Sequence, residues 1–247
     1  MSKFEKVNIT CPSCKKNYQF TKWDSINTKL NPELKDKVKS DQIFRAKCPY
    51  CDLNTTIDYG FLYHQMENQR MIWYANSDEN EKSAYNELSS ILQTTKMDNY
   101  LVRIVRSRKA LQEKIMIFDD GLDDRIIELI KLDIPKILDV SDNEISDIWY
   151  FSDKTGKYIK FIIKGFSGHI DFPENIYKEN RDLVSSNLPD IRDDGPFIDQ
   201  QWALEMKGKR SPSNRNKKIV ATTSQTSGCL LPIMSILLFI CSIIIAL

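Results

Sequence analysis

The stretches Cys11-Pro12-Ser13-Cys14 and Cys48-Pro49-Tyr50-Cys51 decide how the first part of this chain folds. Each is a Cys-Pro-x-Cys turn, and together they offer four thiolates to one tetrahedral ion. Two residues between cysteines let the chain turn tightly with both sulfurs on one side. Proline after the first cysteine fixes φ and stiffens the turn before a metal arrives. Two such pairs are the usual spacing of a four-sulfur zinc site. A closed four-sulfur site leaves no coordination position for a substrate, so it builds structure instead of doing chemistry. The expected metal ligands are therefore Cys11, Cys14, Cys48 and Cys51, around one structural zinc.

The residue after the second cysteine of such a turn often needs positive φ. Here it is Lys15 in one turn and Asp52 in the other. Asp tolerates the left-handed region better than Lys, so the first turn is expected to be the more strained. Two other chemistries use the same residues. A thioredoxin-type redox site presents one C-x-x-C at a strand-to-helix junction, whereas both pairs here precede strand-like runs, Asn17 to Trp23 and Leu53 to Tyr59. Structural disulfides require export, and no N-terminal signal peptide is expected. Iron is the sharper competitor, because rubredoxin-like proteins also use paired C-x-x-C turns on hairpins.

The other end reads CLLPIMSILLFICSIIIAL from Cys229 to Leu247, without a charged residue. As a helix this run would extend roughly 28 Å, close to the hydrocarbon thickness of a bilayer. It predicts a transmembrane tail anchor. Lys207, Lys209, Arg210, Arg215, Lys217 and Lys218 precede it with no acidic residue after Glu205. Positive residues beside a single span stay on the cytoplasmic side, so the expectation is a single-pass membrane protein with its N-terminal domain in the cytoplasm. A reducing compartment would also keep the soluble cysteines available as thiolates.

Charge is unevenly distributed. Residues 1–60 carry eleven Lys/Arg against seven Asp/Glu, a net of +4, while residues 61–206 carry eighteen against twenty-seven, a net of −9. The acidic bulk argues against a duplex-binding surface, and nucleic acid is not an expected partner. The expected fold class is α+β. An N-terminal zinc-ribbon-like β-hairpin domain spans 1–77 and a helix-containing α+β continuation spans 78–206. A basic disordered linker follows over 207–228, poor in apolar surface to bury, with the transmembrane helix at 229–247. Within the continuation, Asp78 to Lys96, Ser107 to Asp119 and Leu122 to Leu132 read as helices, and Tyr100 to Val105 as a strand. Ile148 to Phe151 and Tyr158 to Lys164 read as a hairpin around Lys154-Thr155-Gly156-Lys157, and Glu174 to about Ser185 as a last helix.

CPSC at 11–14, WDSINTKLNPELKDKV at 23–38, IFRAKCPYC at 43–51 and IDYGFLYHQMENQRMIWY at 57–74 resemble the CpXC domain family, named for its two Cys-Pro-x-Cys motifs. RIVRSRKALQEKIMIFDDGLDDRIIELIKL at 103–132 is similar to the continuation seen in longer members. The resemblance implies metal binding and no established activity.

Few residues beyond the cysteines suggest chemistry. His64 and His169 are the only histidines. His64 is weighed as an alternative ligand against a half-buried polar residue, which four thiolates favour; His169 reads as a loop residue. The cluster Asp119-Asp120-Gly121-Leu122-Asp123-Asp124 fits no calcium-loop pattern and reads as a helix C-cap followed by acidic N-cap residues. Tyr18, Phe20, Trp23 and Tyr59 could stack on bases, yet strand aromatics are usually core. No Walker loop, dinucleotide fingerprint or H-E-x-x-H helix is present. The chain is therefore expected to be a non-enzymatic, membrane-tethered adaptor or regulator that meets a protein partner. The alternatives are a nucleic-acid-binding zinc ribbon and a rubredoxin-like iron electron carrier.

Overall fold

In the computed structural model, which describes residues 2–94, 99–187 and 195–209, the first cysteine turn sits at the tip of a long antiparallel hairpin. Its strands are β1 (Lys3–Thr10) and β2 (Asn17–Asn27). Alternation sets the register: Val7 pairs with Phe20 and Ile9 with Tyr18, so apolar side chains share one face. The second turn tips a shorter hairpin of β3 (Arg45–Lys47) and β4 (Asn54–Thr56). Between the hairpins lies α1 (Glu33–Lys39), entered through Pro32 at its N-cap. Its Leu34 and Val38, four residues apart, are buried together.

The end of β2 turns inward. Ser25–Asn27 pairs in parallel with Leu62–His64 of β5 (Phe61–Gln65), and β5 pairs antiparallel with β6 (Arg70–Tyr74). After α2 (Asp78–Thr94), β7 (Leu101–Val105) joins β6 in parallel, giving a five-stranded sheet of order β1-β2-β5-β6-β7. Every residue of β7 is buried, because helices cover both of its faces. Leu111 and Ile115 of α3 (Arg108–Asp119) join Leu101 and Val105 in the main core. On the opposite face Ala84 and Leu88 of α2 meet Ile104 and Val102. Gly60 is required where it stands, since a Cβ there would lie 2.8 Å from the Tyr74 carbonyl oxygen.

The continuation adds α4 (Asp124–Lys131), the short α5 (Ile134–Ile137) and a second antiparallel sheet. That sheet comprises β8 (Ile145–Ser152), β9 (Lys157–Ile163) and β10 (Phe166–Asp171) in the order β10-β9-β8. Two helices, α6 (Glu174–Asn187) and α7 (Gln200–Lys209), pack on α4. Ser107 caps α3 by accepting from the Ala110 N–H at 3.1 Å, and Asp123 caps α4 by accepting from the Arg125 N–H at 2.9 Å. One core runs from Phe20 through Tyr150 to Ala203.

Two expectations need correction. The mixed α+β character stands, but the cysteine hairpins do not form a free-standing ribbon. β2 continues into the five-stranded sheet because buried Ile26 anchors its last turn of alternation there. The membrane placement is also withdrawn. Among the described residues no helix is long and apolar enough to cross a membrane; the longest, α2, has 17 residues and an acidic first turn. An apolar run becomes a span only as a continuous helix, and the run at 229–247 lies outside the described residues, as does the linker from 210. A single-pass protein with a cytoplasmic N-terminal domain therefore has no structural support. Smaller differences lie in β10, which occupies the expected loop around His169, and in α5 and α7, which were not expected.

Candidate metal centre

The two cysteine turns are built by the same hydrogen bonds. The Cys11 N–H donates to the Lys16 carbonyl and the Lys15 N–H to the Cys11 carbonyl, both at 3.0 Å. In the second turn the Cys48 N–H donates to the Leu53 carbonyl at 2.9 Å and the Asp52 N–H to the Cys48 carbonyl at 3.0 Å. Closing the turn this way forces the residue after the second cysteine into the left-handed region, and Lys15 and Asp52 stand at φ +61° and +57°. Lys47 reaches across its own turn to Asp52 at 2.8 Å.

Each hairpin tip delivers its sulfurs to the other. Cys11 Sγ lies 3.6 Å from Cys51 Sγ and Cys14 Sγ lies 3.7 Å from Cys48 Sγ, and all four sulfurs fall within 4.8 Å of one another. All four cysteines are free, with Cys11 and Cys48 buried. A tetrahedral ion with metal–sulfur bonds of about 2.3 Å has sulfur–sulfur edges of about 3.8 Å, which the Cys11–Cys51 and Cys14–Cys48 separations match. The backbone already favours one thiolate. The N–H groups of Cys14 and Ser13 bring Cys11 down to about 6 against the opposing effect of burial. The Leu53 N–H acts likewise on Cys51, but burial and the neighbouring sulfurs outweigh it and push that thiol up to about 11. Several thiolates cannot share this space without a cation between them.

Residues 9–131 match the protein family described as CpXC protein. Over those residues the chain belongs to the CpXC family. No curated protein and no solved structure matches the chain. The CpXC region thus takes in both cysteine turns, the sheet from β2 to β7, and α3 and α4 to Lys131.

The other sequence candidates lie apart from the sulfurs. His64, on β5, packs its ring 5.5 Å from that of Tyr100, with Nε2 3.3 Å from the Tyr100 hydroxyl, and burial lowers its pKa. His169 is exposed on β10 beside Tyr158. The acidic cluster does not converge on a point. Asp119 pairs with Lys35 at 2.6 Å, Asp120 accepts from the Tyr150 hydroxyl, Asp123 caps α4, and Asp124 turns into the core. Gly121, at φ +69°, makes the turn between α3 and α4.

Sequence reasoning missed a second polar centre inside the CpXC region. Arg103 of β7, almost fully buried, forks onto Asp124 with Nε–Oδ2 2.8 Å and Nη2–Oδ1 2.9 Å. Lys114 bridges Asp124 at 2.9 Å and Glu128 at 3.2 Å; Lys131 bridges Glu128 at 2.9 Å and Glu113 at 3.1 Å. Glu113 also accepts from the Tyr150 N–H of β8 at 2.7 Å. Burial alone would raise the Asp124 carboxyl, but Lys114 and Arg103 outweigh it and hold it far below the carboxylate range. Glu113 is raised by its burial. Three cations alternate with three carboxylates, every charge is met, and the ladder ties α3 and α4 to both sheets. Its signal was present: Asp124, Glu128 and Lys131 fall at i, i+4 and i+7, a charged stripe among Ile126, Ile127, Leu129 and Ile130.

Proposed function

We propose that Cys11, Cys14, Cys48 and Cys51 hold one structural zinc ion, and that the CpXC region is a non-enzymatic binding module, an adaptor or regulatory element, whose surface the metal holds in shape. The observation that carries this reading is where the sulfurs stand. They join the tips of two hairpins that share no strand pairing with each other, so the ion would act as the crosslink that a small sheet lacks. Four sulfurs close the coordination sphere and leave no position for a substrate. The experiment is elemental analysis of wild-type and Cys14→Ser chains. The reading expects zinc in the first and its loss from the second, together with loosening of β3–β4; a Cys14→Ser chain that stays folded and metal-loaded would overturn it.

A further inference from the structure

The metal centre leaves a groove between the two hairpins it joins. β2 pairs with β5 only over Ser25–Asn27, so from Asn17 to Asp24 its outer edge meets no other strand among the described residues. Across from that edge runs β3, which is paired with β4 alone. The space between them is a groove of about 380 Å³. Tyr59 ties down its inner end by donating its hydroxyl to the Ile43 carbonyl at 3.0 Å.

Its lining residues include Lys37, Arg45 and Lys47 with Tyr18 and Trp23, and no Asp or Glu. Among the described residues no carboxylate pairs with Lys37 or Arg45, and Lys47 has only the exposed Asp52 at the turn. Three like charges along one groove focus positive potential there, and a polyanion is the ligand that answers it. The rings decide which polyanion. Half-buried Tyr18 and Trp23 line the same groove while packing against the main core, and Trp23 lies 5.1 Å from Phe4, which is 54% exposed. At the second cysteine turn Tyr50, 57% exposed, lies under Lys16 Nζ at 4.8 Å. Rings interleaved with cations suit unpaired bases on a phosphate backbone, whereas a duplex keeps its base faces within its own stack. The groove also falls in residues 1–60, the part of the folded chain with a positive excess.

We propose that the groove between β2 and β3 binds single-stranded nucleic acid, with Lys37, Arg45 and Lys47 on the phosphates and Tyr18 and Trp23 against bases. The proposal rests on the structural-zinc reading, in which the ion ties the tip of the β3–β4 hairpin to that of β1–β2, while Ile43 and Ala46 share a core with Phe20 at the groove's base. It supplies the partner class which that reading leaves open.

The test uses the full chain, assayed first for metal content, with fluorescein-labelled oligothymidylate and oligouridylate followed by anisotropy. Three phosphate contacts on a single strand predict about 20-fold weaker binding when salt rises from about 50 to about 200 mM. K37E/R45E, with metal retained, should weaken binding by about tenfold or more. W23A should weaken it without changing the salt slope, because a ring releases no counterions. Undiminished binding by metal-loaded K37E/R45E, or polyglutamate binding as tightly as oligothymidylate, would overturn the proposal. So would a zinc-loaded chain that binds neither oligonucleotide, and this result would leave the structural zinc standing. A chain that binds through the groove but carries no metal would instead overturn the zinc reading.

Discussion

The cysteine centre and the buried ion ladder solve the same problem with opposite chemistry. Both tie elements distant in sequence: Cys11 to Cys51 across 40 residues, and Arg103 to Asp124 across 21. The ladder is complete as it stands, since each cation is matched by a carboxylate and five of its six residues are buried. The cysteine centre brings four sulfurs within 4.8 Å of one another with no cation among the side chains there, and under the proposed function a zinc ion completes it. One joint is therefore intrinsic to the chain, and the other, under the proposed function, is conditional on a metal. The conditional joint lies beside the open surface, and the intrinsic one lies in the core.

The largest effect should come from breaking the conditional joint. Cys48→Ser removes a buried ligand and should forfeit much of a binding energy on the order of 10 kcal/mol. Metal analysis and hydrogen exchange would check it, with protection lost in β3–β4 and kept in β6, β7 and α3. Loss of protection throughout would mean that the two joints are not separable. Breaking the intrinsic joint ranks next. Asp124→Ala strands Arg103 and Lys114 in the core and should cost about 3–5 kcal/mol, read as a lowered urea midpoint with zinc still bound.

Acid should separate the two joints in order. Metal ligation depresses thiol pKa values far below about 8.5, so the stability it lends is lost as protons compete for several thiolates together. Asp124 is also depressed in the folded state, so its contribution is present above the unfolded value near about 4 and is lost as pH falls below that. Glu113, raised by burial, opposes it in sign. A falling pH followed with a zinc-sensitive dye and by circular dichroism should show metal leaving first and helix later; simultaneous loss would contradict the separation.

The smallest effect concerns the first turn. Lys15 is held at φ +61° where glycine is unstrained, so Lys15→Gly should stabilise the metal-loaded domain by about 1 kcal/mol, and Asp52→Gly by less. Thermal midpoints at saturating zinc would measure both.

Much of this was legible in the sequence, for local reasons. The cysteine turns, the starts of α3 and α4 and the β8–β9 hairpin all depend on neighbouring residues, and the sequence reading placed them within a few positions. Long-range decisions were less visible. Nothing near Ser25–Asn27 announces a parallel partner at Leu62–His64, so the hairpins looked like an independent ribbon. The ladder escaped notice because a charged stripe on a helix normally faces water, and only the burial of α4 on both sides turns it inward. The membrane expectation failed for a different reason, since it rested on an apolar run alone with no described helix to carry it.

The most direct measurement is elemental analysis with a visible spectrum on the chain purified without added metal. One zinc per chain and a colourless solution are predicted; iron with visible absorbance, or no metal at all, would contradict the structural zinc.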